Sequence, residues 1–233
     1  MMGLVATAQK ARVADNSAVA YTSMPIDPET LREATVQLRR RDPVLAAIIR
    51  DVGPCRLRVD EGGGAFAALV ESILYQQITG KAAAAIYGRV RRLVGRRHPR
   101  PQDILAVTEA ALRGAGLSRQ KVMYLRDLSE RVTRGLKLRA IGRLADEAVI
   151  EALTEVKGIG RWTVEMFLIF RLGRLDVLPV HDYGIRKAMQ RAYRLRKLPT
   201  PERMRRLAEP WRPYRTVACW YLWRSLESKA GRA

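Results

Sequence analysis

The chain has 233 residues, with 43 Lys and Arg against 23 Asp and Glu, a net charge of +20 and a sequence pI near 10.9. This excess of cations predicts a polyanionic partner, and 48% hydrophobic residues is enough for a folded core. No apolar run reaches the roughly eighteen residues that cross a bilayer, and the first residues lack the basic-then-apolar pattern of a secretory signal, so a cytoplasmic location is expected.

In chain order, residues 1–23 carry no sustained periodicity and read as a flexible tail. Asp27-Pro28-Glu29-Thr30 opens a helix, with proline and acid in its first turn and Leu31, Ala34, Val36 and Leu38 on a face. Asp42-Pro43 opens another, with Val44, Leu45, Ile48 and Ile49 apolar. Arg56-Leu57-Arg58-Val59 alternates briefly, enough for a short extended segment that Gly62-Gly63-Gly64 ends. Helices are expected at 65–75, 81–94, 102–107, 109–113, 118–133, 145–153, 199–208 and 213–227. Period-two alternation is nearly absent, so the fold class is all-α.

Cys55 and Cys219 are the two cysteines, fewer than the about four thiolates an iron–sulfur cluster needs. A disulfide is not expected without an export signal. His98 and His181 lie far apart in sequence, so the chain is read as needing no metal and no cofactor.

The most informative stretch is 153–193. Gly158-Ile159-Gly160 allows a sharp turn, and the helix after it begins with amides that have no internal acceptor, an anion site. Asp182 then follows Pro179, ahead of a second helix. A phosphate-gripping turn and an isolated carboxylate on so basic a chain point to chemistry on a nucleic acid.

Val156-Lys157-Gly158-Ile159-Gly160 resembles the hairpin of the helix-hairpin-helix-GPD DNA glycosylases, and Leu178-Pro179-Val180-His181-Asp182 their Pro/Asp segment. Gly160-Arg161-Trp162-Thr163, Asp182-Tyr183, Glu209-Pro210-Trp211-Arg212-Pro213-Tyr214 and Trp220-Tyr221 are similar to the 3-methyladenine DNA glycosylase II (AlkA-like) branch. The resemblance covers 42–227. It implies two helical lobes with a central cleft: 24–64 with 195–233 in one, and 65–194, with the hairpin at about 153–164, in the other. Fuller members carry an additional N-terminal β-rich domain, which is not expected in this chain.

The resemblance assigns catalysis to Asp182, whose carboxylate would face the cationic sugar formed as the C1′–N bond breaks. Asp before a helix is also a common N-cap, and both roles are compatible. Asp176 is read as a turn residue and Glu165 as a surface or ion-paired residue. Trp162 stands where lyase-active relatives have a lysine, and an indole forms no Schiff base, so base release without strand cleavage is expected. Trp162, Tyr183 and Trp220 are the expected pocket aromatics, with Met166 one turn beyond Trp162. Met166 departs from the aromatic of the nearest relatives. Such rings would attract a cationic alkylpurine by about 0.5–2 kcal/mol.

Gly158, Ile159 and Gly160, with Lys157 and Arg161, are the expected phosphate contacts. Gln76 to Gly80 resembles the loop that fills the gap left by an extruded base, with Gln77, Ile78 and Thr79 as candidates the sequence does not separate. The expected function is excision of alkylated purines from double-stranded DNA by a monomeric, monofunctional glycosylase. The alternatives are a glycosylase for deaminated or oxidised bases, or a non-catalytic sensor of DNA damage.

Overall fold

The computed structural model describes residues 23–60 and 62–227. All but the last residue of the expected tail 1–23 lies outside the described residues. The elements in chain order are β1 (Ser23–Pro25), α1 (Pro28–Arg41), α2 (Pro43–Val52), β2 (Arg58–Asp60), α3 (Gly64–Tyr75), α4 (Gly80–Leu93), α5 (Pro101–Ala106), α6 (Glu109–Gly114), α7 (Arg119–Thr133), α8 (Asp146–Thr154), α9 (Arg161–Phe170), α10 (Tyr183–Ala192), α11 (Pro201–Ala208) and α12 (Arg215–Ser225). Short 3-10 turns lie at Ile141–Arg143 and Glu209–Trp211.

The described chain is mostly helical. Its strands form one antiparallel pair in which Met24 faces Val59. The alternation at 56–59 thus becomes a strand only three residues long, too short to outweigh an all-α reading.

Local chemistry explains where the helices start. Asp27, Asp42, Thr79, Thr108, Ser118, Asp182 and Thr200 each accept a first-turn N–H through a side-chain oxygen. Each such cap stabilises its helix by about 1 kcal/mol. Pro28, Pro43 and Pro201 sit where a missing N–H costs nothing.

Contacts divide the chain into two units. In the first, 62–167, α7 packs against α3, α5 and α6. Leu69, Val70, Ile73 and Leu74 of α3 are buried there, as are Ile104, Leu112, Leu125 and Leu128. Burying each such side chain contributes about 1.5–3 kcal/mol.

The second unit is 23–60 with 168–227. Its central helix is α12, which packs on α1, α2 and α10 and is buried at every position from Thr216 to Trp223. Asp42 is a second organising point. Its Oδ1 caps α2, while its Oδ2 accepts from Tyr193 Oη and, at 2.8 Å, from Trp211 Nε1. Burial and this carboxylate raise the Tyr193 hydroxyl pKa well above its ordinary value.

The division corrects the expected boundary. Residues 168–194, expected with the middle of the chain, cluster with the terminal segments. Hydrogen bonds to the start of α12 explain why. Thr216 donates its amide to Leu175 O at 2.9 Å and its hydroxyl to Arg174 O at 2.7 Å, and accepts from Val177 N at 3.0 Å. Asp176, expected to be a turn residue, is the acid of this clasp: Arg215 Nε reaches it at 2.6 Å and Arg212 Nη1 at 2.8 Å.

Candidate functional site

In the first unit, 156–160 link α8 to α9 as a tight hairpin. Ile159 N donates to Val156 O at 3.0 Å, and both side chains are buried, which anchors the turn from beneath. Gly158 has φ +80°, and an added Cβ would lie 2.1 Å from the Tyr124 ring. Only glycine satisfies both conditions. Gly160 is exposed, has no positive φ and would place a Cβ within 4 Å of nothing. The first backbone bond of α9 runs from Val164 N to Gly160 O at 3.2 Å, so the preceding amides have no acceptor within the helix.

The charged hairpin residues are engaged. Lys157 donates its amide to Asp127 Oδ2 at 2.9 Å, and its Nζ lies 3.9 Å from Oδ1. Arg161 is held by both oxygens of Glu147, with Nη1 3.0 Å from Oε2, and by Glu165 Oε1 at 3.3 Å. The guanidinium draws the Glu147 pKa below its ordinary value, and the carboxylates raise that of Arg161. Arg161 would therefore exchange partners to reach a phosphate. Glu165 is buried, with a side chain 4% exposed, so the ion-pair expectation describes it and the surface one does not. Trp162 is half-buried and Met166 buried.

The loop after α3 also lies in this unit. Gln76 caps α3 and donates Nε2 to Gly158 O at 2.8 Å. Gln77 is exposed with φ +60°, Ile78 is half-buried, and the Thr79 hydroxyl caps α4.

In the second unit, Asp182 ends the 171–182 loop and caps α10, its Oδ1 accepting from Ile185 N at 2.7 Å. The same oxygen accepts from Trp223 Nε1 at 3.0 Å, and Asp182 as a whole is 2% exposed. Trp223 in turn stacks on Phe170, with centroids 5.8 Å apart. Two neutral N–H groups thus orient the acid. Sequence reasoning missed Trp223, which lies one turn beyond Trp220 on α12.

The expected aromatics of this unit differ in setting. Tyr183 is 47% exposed and available to a ligand. Trp220 is buried, edge-on to Tyr221, with the Arg224 guanidinium 5.9 Å from its centroid. That face of the indole already has a cation beside it.

Residues 70–213 match the profile described as "HhH-GPD superfamily base excision DNA repair protein". The DNA-3-methyladenine glycosylase 1 of Schizosaccharomyces pombe is 36% identical over 200 residues, covering 84% of this chain and 88% of that protein. Two solved structures are similar. One is a 3-methyladenine DNA glycosylase from the same yeast in complex with abasic DNA, with TM-score 0.72, 34% identity and coverage of 84% of this chain and 98% of the other. The second is a DNA-3-methyladenine glycosidase from Bacillus halodurans, with TM-score 0.75, 37% identity and coverage of 89% and 94%. The chain belongs to the HhH-GPD superfamily of base excision DNA repair proteins.

Proposed function

We propose that the protein is a DNA glycosylase that excises alkylated purines from duplex DNA, with Asp182 as its catalytic residue. The observation that carries this reading is a buried carboxylate fixed by two neutral donors, on a chain whose relatives are named 3-methyladenine DNA glycosylases.

The chemistry follows from the bond broken. As the C1′–N bond lengthens, positive charge develops on the deoxyribose. A pre-oriented ionised carboxylate stabilises that charge and directs a water at C1′. An N3- or N7-alkylated purine is cationic and leaves without protonation, so one acid suffices. Tyr183, Trp162 and Trp220 are the proposed aromatic contacts of the base, with Met166 one helical turn beyond Trp162. Tyr183 offers the most accessible ring.

Gly158, Ile159 and Gly160 form the proposed phosphate-gripping turn: the Ile159 amide is bonded to Val156 O and shapes it, while the main-chain N–H groups at Gly160 and the start of α9 are offered to the backbone phosphate. Gln77 and Ile78 are the proposed fillers of the gap left by the extruded base, because the Thr79 hydroxyl serves as the α4 cap. Trp162 supplies no amine, so the enzyme releases the base and leaves the strand intact.

The test is a panel of duplexes, each with one defined lesion, assayed for free base and for nicks. Release of 3-methyladenine or 7-methylguanine, with strand breaks appearing only after alkali, is expected. Release confined to deaminated or oxidised bases, or unaided nicking through a trapped imine, contradicts the proposal.

A further inference from the structure

The 76–79 loop and the hairpin are distant in sequence yet joined within the first unit. Gln76 Nε2 donates to the carbonyl of Gly158 at 2.8 Å. Helix α7 supports both partners from one face. Lys121, Tyr124 and Asp127 follow at successive three-residue steps, so they line a single stripe of that helix. Lys121 Nζ reaches Leu74 O, in the last turn of α3, at 2.6 Å. The Tyr124 ring fills the space that a Gly158 Cβ would take, and Asp127 holds the Lys157 amide at 2.9 Å. The loop residue following Gln76 sits at φ +60°, a conformation Gln adopts only when its surroundings hold it there.

We propose that Gln76 is a positioning residue: through the Gly158 carbonyl it fixes the spacing between the phosphate-gripping hairpin and the gap-filling residues Gln77 and Ile78, with α7 as the common support. This rests on the base-flipping reading above. The hairpin sets the protein on the backbone, and the loop must then meet the vacated stack within about 1 Å, the scale at which misplacement costs rate rather than affinity. A lone surface loop has no such register. A side-chain amide anchored on the hairpin backbone gives it one.

The test uses a duplex with a tetrahydrofuran abasic analogue beside 2-aminopurine, whose fluorescence reports filling of the gap. Gln76→Met keeps the bulk and removes the donor. It should slow the fluorescence change about tenfold or more while leaving affinity for undamaged duplex within about twofold, a split a merely structural loss would not produce. Lys121→Met, which frees the last turn of α3 just ahead of Gln76, should behave alike. In a Gln77→Ala, Ile78→Ala background the Gln76 substitution should cost no more than about twofold, because the group it positions is gone. An unchanged filling rate overturns the proposal. So does equal loss of undamaged-duplex binding, an additive effect in the emptied loop, or no fluorescence change with the wild-type chain. Failure to release any alkylated base would overturn the glycosylase reading alone, since gap filling is measured without excision.

Discussion

Trp223 Nε1 lies 3.0 Å from Asp182 Oδ1, the oxygen that also takes the Ile185 amide at 2.7 Å. The indole and the helix start together fix the acid's rotamer. A hydrogen bond to a charged acceptor is worth about 1.5–3 kcal/mol. Trp223→Phe keeps the ring on Phe170 and removes the donor, so single-turnover base release should fall roughly tenfold or more with the fold retained. Chemical-quench kinetics beside a thermal melt checks this.

The two buried acids of the second unit should separate cleanly. Asp42 receives two backbone amides, the Tyr193 hydroxyl and the Trp211 indole N–H. In Asp42→Asn an amide NH2 would face the indole donor, so stability should drop by about 2–4 kcal/mol. Base release by the fraction that remains folded should stay near wild type. Urea unfolding with active-site titration distinguishes the effects.

The glycines of the hairpin should also part company. Gly158→Ala forces both φ +80° and a clash at 2.1 Å with Tyr124. It should lower stability by at least about 1–2 kcal/mol, and Tyr124→Ala should relieve the clash but not the backbone cost. Gly160→Ala meets nothing in the free protein. It should fold normally and still weaken duplex binding, because a methyl would stand where a phosphate approaches. Fluorescence anisotropy and melting curves read the two separately.

Much of this arrangement is legible in the sequence. Asp, Ser or Thr before an apolar-periodic run marks the helix starts, since an N-cap is a purely local bond. The Gly158-Ile159-Gly160 turn is legible for the same reason. Trp223 was not, because α12 is buried from Thr216 to Trp223 and periodicity shows no preferred face. Membership of 168–182 in the second unit depends on bonds to Thr216 and Arg215 roughly forty residues away, and Gln76 depends on a carbonyl 82 residues off. Contacts at that separation leave no local pattern.

At alkaline pH the fold should weaken. Burial pushes the Cys55 thiol from 9.0 up to about 11, and also raises the hydroxyls of Tyr193 and Tyr221. A raised folded-state pKa contributes stability that is complete below the unfolded value and lost as pH climbs through the folded one. Unfolding free energy should therefore fall between pH 9 and about 11, with Cys55 accounting for roughly 2–3 kcal/mol at most. Cys55→Ala should flatten part of that slope in urea titrations at pH 8 and above.

Base release should depend on the charge of a single side chain. Asp182→Asn preserves an oxygen for Ile185 and Trp223 and replaces the carboxylate with a neutral amide. With saturating enzyme and a duplex bearing one alkylated purine, release of free base should slow by about 10²-fold or more at unchanged melting temperature and DNA affinity. Release within about twofold of the wild-type rate would contradict it.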